Sequence, residues 1–148
     1  MLRPALMALT PVTLALTSGC GSDDSQHEKA REDIRASVEL IRYAREDETE
    51  GVKAGDARED TETLVQIAQD ELEDLRSAAA RSQGDTRKFA DTAVEWAEVL
   101  VHSRQIILDG TGTDQEGAVL MLRTDQLEDH MDEQAEDLGV EPWHPREN

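Results

Sequence analysis

Phe89-Ala90-Asp91-Thr92-Ala93-Val94-Glu95-Trp96-Ala97-Glu98-Val99-Leu100-Val101 is the stretch whose reading decides the fold class. Phe89, Ala93, Trp96 and Leu100, continued by Ile107, fall on one row of a helix with 3.6 residues per turn. Ala90, Val94, Ala97, Val101 and Leu108 fall on the row beside it. Two adjacent rows make a broad apolar arc, so this helix is expected to be the most buried of the chain, with Trp96 in its core. Asp91, Glu95, Glu98 and His102 occupy the opposite face and should meet water.

Working outward, Gly84 ends the segment before this helix, and Asp85 is placed to cap its N-terminus. That earlier segment starts near Asp56 to Thr61 and carries Val65, Ala68, Leu72, Leu75 and Ala79 on one stripe, with Leu64 and Ile67 beside it. A first helix is read from about His27, with Ala30, Ile34, Val38, Ile41 and Ala44 at steps of four and three. Its other face pairs Glu28 with Arg31, Arg35 with Glu39 and Arg42 with Glu46. Such pairs contribute a few tenths of a kcal/mol, roughly 0.2–0.5 each. Gly51 and Gly55 interrupt, and the helix is expected to end between Glu48 and Ala54.

On the other side, Gly110 and Gly112 break the chain, and Thr113-Asp114-Gln115-Glu116 reads as a capping box. Leu120, Leu127, Met131, Ala135 and Leu138 carry a fourth helix, closed by Gly139. Pro142-Trp143-His144-Pro145 marks 141–148 as a non-helical tail. No sustained period-two run of β-branched residues signals a strand. The expected fold is all-α: a small antiparallel four-helix bundle over 27–140, or three helices with a loose first segment.

The composition fits one small domain of 148 residues. Lys and Arg number 15 against 34 Asp and Glu, a net charge of −19. A basic footprint for phosphates is missing, so no nucleic-acid partner is expected. The single Cys permits no internal disulfide and no Cys-based four-ligand zinc site. Low aliphatic content and high charge approach the composition of disordered chains. Helical periodicity and abundant Ala, which lets helices pack closely, favour folding. Only Lys29, Lys53 and Lys88 are lysines, and acid-rich, Lys-poor surfaces resemble those of proteins working in high salt, where screening relieves self-repulsion.

Residues 1–19 differ in kind. They hold no acid; Arg3 supplies a positive start, and Ala5 to Leu16 is mostly apolar. Thr17, Ser18 and Gly19 are small, and Cys20 follows at once. The pattern is that of a cleaved secretory signal peptide. Thr17-Ser18-Gly19-Cys20 resembles the lipobox of bacterial lipoproteins, in which the Cys becomes the lipidated N-terminus. The resemblance implies a signal peptide over 1–19, lipidation of Cys20, a short tether over 20–26 and a place in the cell envelope facing away from the cytoplasm. Gly21, rather than Asp, after the Cys favours the periplasmic face of an outer membrane where there are two membranes. Several acyl chains anchor stably where one is marginal. Ordinary cleavage near Gly19, giving a secreted protein, is the alternative.

Candidate chemistry is sparse. Glu95, Glu98 and His102, with Asp91, could face a divalent ion. Asp125, Asp129 and Asp132, with Glu136, form a second acidic stripe of oxygen donors. Straight, solvated stripes hold ions loosely, and no metal or other cofactor is assigned to them. The Glu-x-x-His motif of di-iron bundles is absent, because Val99 and Leu127 stand three before His102 and His130. Ser103 beside His102 lacks the acid–base setting of a nucleophile. No inward-facing polar cluster is visible in the pattern. Ala-Arg-Glu-Asp recurs at Ala30, Ala44 and Ala57, read as a recurring helix-forming string rather than a surface that a partner recognises. The expectation is a lipid-anchored envelope protein acting as a non-enzymatic binding or structural accessory module for an envelope partner. The alternative is a divalent-cation or small-ligand-binding protein of the periplasm or exterior.

Overall fold

The computed structural model describes residues 21–55, 57–135, 138 and 140. The leader, Cys20 and the tail lie outside the described residues. Four helices follow one another: α1 (Gly21–Ala54), α2 (Ala57–Arg81), α3 (Gly84–Asp109) and α4 (Asp114–Ala135). They form a small all-α four-helix bundle. Each helix packs mainly on its sequence neighbour. The α1–α2 and α3–α4 turns lie at one end of the bundle, as the pairing of Glu48 with Arg104 requires.

The stripes read from the sequence are the core. Ile34, Val38 and Ile41 of α1, Leu64 and Leu75 of α2 and Phe89, Trp96 and Leu100 of α3 are all fully or almost fully buried. Burying an indole removes roughly 150–250 Å² from water, an upper bound of about 4–6 kcal/mol at 25 cal/mol per Å². Ala68, Ala78, Ala79, Ala90, Ala93 and Ala97 are buried too, and their small side chains let α2 and α3 approach closely. Ile107 departs from its row: it is 62% exposed, while its neighbour Leu108 packs against the core.

The helix ends differ from the sequence reading in places. α1 includes Gly21 onward, so residues 21–26 of the segment read as a tether are helical. α3 is capped at Gln83 rather than Asp85; Asp85 sits in the first turn and accepts from Lys88 at 2.7 Å. Arg87 reaches back from α3 to the Ala79 carbonyl at 2.8 Å, placing a cation at the C-terminus of α2. Gly110 closes α3 at φ 65°, and its N–H donates to the carbonyls of Ile106 and Ile107. That left-handed backbone is where glycine is needed. Thr113 Oγ1 then accepts the Glu116 N–H at 3.1 Å, as the capping box predicts. α4 is helical through Ala135, Leu138 is in 3₁₀ conformation and Val140 is buried; Gly139, read as the close of the helix, lies outside the described residues.

Candidate functional site

Two features set the turn end of the bundle apart from the rest. The first is a cluster of charge inside the fold. Glu48 of α1 is 5% exposed. Arg104 of α3 grips it in bidentate fashion: Nε donates to Oε1 at 2.8 Å, and Nη2 donates to Oε2 at 2.9 Å. Thr61 of α2 lies 2.9 Å from Glu48 Oε1 and 2.7 Å from the Ala57 carbonyl, and its hydroxyl has one proton for the two acceptors. Ser103, also buried, donates to the Leu100 carbonyl at 2.8 Å.

A second pair lies beside the first. Glu128 of α4 is 4% exposed; it accepts the Trp96 indole N–H at 3.0 Å and contacts Arg45 of α1. Burial, and after it Arg104, hold the Arg45 guanidinium below its ordinary pKa, while Asp125 and Glu48 oppose them. The guanidinium keeps its charge, because even a lowered arginine titrates far above neutral pH. The cluster therefore ties all four helices together. Desolvating these charges is costly, and their mutual bonds offset that cost only in this geometry.

The sequence reading missed this inward-facing cluster, although a signal for it existed. Polar residues stand at helical spacing from three of the stripes: Glu48 is four after Ala44, Ser103 and Arg104 are three and four after Leu100, and Glu128 is three before Met131. A charged residue in core register is an anomaly that a search for apolar residues passes over.

The second feature is apolar and outside. Gly117-Ala118-Val119-Leu120-Met121-Leu122 is an uncharged run in a chain that is one-third charged. A helix apolar on every side needs burial on every side. Here α4 packs mainly on α3. Leu120 is half-buried against the bundle, while Val119, Met121 and Leu122 are each 60–61% exposed. Across the turn stands exposed Ile107. Between α3 and α4 lies an open concavity of about 460 Å³, lined by Ile106, Ile107, Gly112, Gly117, Ala118 and Met121 among others. None of the buried charges lines it.

The residues singled out from the sequence fall elsewhere. Glu95, Glu98 and His102 are exposed along α3, as expected. Glu95 is bound by Arg123 of α4, Glu98 by Arg76 of α2 at 2.6 Å and Asp91 by Arg87 of its own helix at 2.8 Å. The first stripe is thus an arginine-laced surface joining three helices. On α4, Asp125 is exposed beside Arg45, Asp129 is exposed and Asp132 is half-buried. Among the described residues, no three of His, Cys, Asp and Glu stand close enough to hold a metal ion. His130 is on the surface, 3.5 Å from Glu133. The Ala-Arg-Glu-Asp copies do not share a surface. Ala30 and Ala44 are in the core, Arg45 is in the buried cluster and Arg58 is exposed at the start of α2.

No protein-family model, curated protein or solved structure matches this chain. No helix among the described residues is long and apolar enough to cross a membrane.

Proposed function

We propose that this protein is a cell-envelope lipoprotein, held to the membrane by lipid on Cys20, whose acidic helical domain is a non-enzymatic binding module for an envelope partner. The observation that carries the reading is the exposed, uncharged first half of α4. A folded domain with this much charge gains solubility from charge at every exposed position, so an exposed apolar patch marks a contact surface. Its place supports the same reading. Cys20 directly precedes α1, and α1 spans about 50 Å at 1.5 Å per residue. An anchor at Cys20 leaves the α3–α4 turn at the far end of the bundle, presented away from the membrane.

Fractionation of cells carrying the wild type and Cys20→Ser tests the anchor. The wild type is expected to sediment with membranes, and Cys20→Ser to appear in the soluble fraction. A Cys20→Ser protein that sediments as the wild type does overturns lipid anchoring.

A further inference from the structure

We infer that the apolar patch at the α3–α4 turn docks a basic amphipathic helix of a partner protein: apolar along its centre, with Lys or Arg on its flanks. The inference rests on the binding-module reading and names the partner's chemistry. The patch has the form of a helix-docking surface. Ala118 and Met121, three apart on α4, form one wall of the concavity with Ile107 on the other, and exposed Val119 and Leu122, also three apart, extend the apolar surface outside it. A helix laid along such a groove inserts side chains at steps of three and four.

Charge selects among occupants. Asp114 lines the concavity, and exposed Asp109 and Glu116 flank it along the chain. Of the arginines flanking it along α3 and α4, Arg104 is engaged by Glu48 and Arg123 by Glu95. The rim is therefore negative around an uncharged centre. A second copy would set the same carboxylates against themselves, in a chain of net charge −19. An anionic lipid surface would be repelled in the same way. A segment with an apolar row between cations satisfies both the centre and the rim, and opposite charge at the rim speeds encounter and sets orientation.

The test uses the full-length chain and two labelled synthetic helices that share a leucine row, one flanked by Lys and the other by Glu. Fluorescence anisotropy is expected to show saturable one-to-one binding of the Lys peptide and none of the Glu peptide. Replacing Val119, Met121 and Leu122 together by Ser leaves net charge unchanged, and is expected to weaken binding at least tenfold at an unaltered melting temperature. Ile107→Ser, on the other wall, is expected to weaken it by a smaller factor, so that a misfolded triple variant would not leave the idea unexamined. Equal binding of the Lys peptide by wild type and both variants would mean bulk charge attraction and overturns the proposal. A wild-type dimer in sedimentation that the substitutions convert to monomer assigns the patch to a second copy and overturns it as well. So does patch-dependent binding to zwitterionic vesicles. Cys20→Ser is expected to bind the peptide as the wild type does, so failure of the anchor and failure of the patch are read separately.

Discussion

The two halves of α4 differ in composition and in burial, and in the opposite sense to the one hydrophobicity would give. The second half buries Thr124, Leu127, Glu128, Met131 and Ala135 against the bundle. The first half leaves Val119, Met121 and Leu122 in water, although it is the more apolar of the two. The difference is one of neighbours. Beside the second half stand Trp96 of α3 and Arg45 of α1, which grip Glu128 from two helices. The first half has only the end of α3 to lie on. Hydrophobicity alone therefore does not decide what is buried in this domain; the placement of partners does. The apolar face left open at the end of the bundle is the feature on which the proposed binding role rests.

The comparison breaks most severely at Glu128. Glu128→Ala strips the buried Arg45 and the Trp96 indole of their shared acceptor, and about 3–5 kcal/mol of stability should be lost in urea denaturation, with a shift in Trp emission. Glu116→Ala, in the exposed first turn of the same helix, should cost no more than about 1 kcal/mol. The two methionines sharpen the contrast. Met131 is fully buried and Met121 is 61% exposed. Met131→Ala should cost about 2–5 kcal/mol through transfer and cavity terms, and Met121→Ala about 0.5 kcal/mol or less. Gly110→Ala forces an L-residue into the left-handed turn that sets α4 on α3, and should cost about 1–2 kcal/mol in the same assay.

The smallest effect lies outside the comparison, at the start of α3. The hydrogen bond from Lys88, and then its charge, hold the Asp85 carboxyl below the ordinary aspartate range. The contribution of this pair is present above the unfolded aspartate pKa and is lost as pH falls through the depressed folded value. The Lys88 partner is raised, so the same contribution also fades as pH rises through its folded value. NMR titration should place the Asp85 carboxyl below the ordinary aspartate range, and Lys88→Met should return it there.

Most of the fold was legible because periodicity reports which face is apolar. The rows of Phe89 and Ala90, the stripe of Leu72 and Leu75 and the break at Gly110 all stand where the pattern puts them. What the pattern did not reveal has two physical causes. Glu48, Arg104 and Glu128 lie in core register, but their burial depends on partners from other helices, and a single helix cannot report those. Ile107 continues the row of Phe89 and Leu100 yet is exposed, and only the assembled bundle shows which side of α3 is covered at that level. The acidic stripe on α3 was read as solvent-facing, and it is; its arginine partners from α2 and α4 again required the tertiary arrangement. Lipidation of Cys20 remains a reading of the leader alone.

Methionine oxidation by dilute peroxide, read by mass spectrometry on purified protein and on intact envelopes, tests the central claim most directly. Met121 and Met131 are the only methionines beyond Met1 and Met7. In the purified protein, Met121 should oxidise at least tenfold faster than Met131, because access to the thioether controls the reaction. In intact envelopes, Met121 should become protected to near the level of Met131, as a partner covers the first half of α4. Met121 oxidising equally fast in both preparations would contradict the account: the open half of α4 would then be a surface that nothing covers.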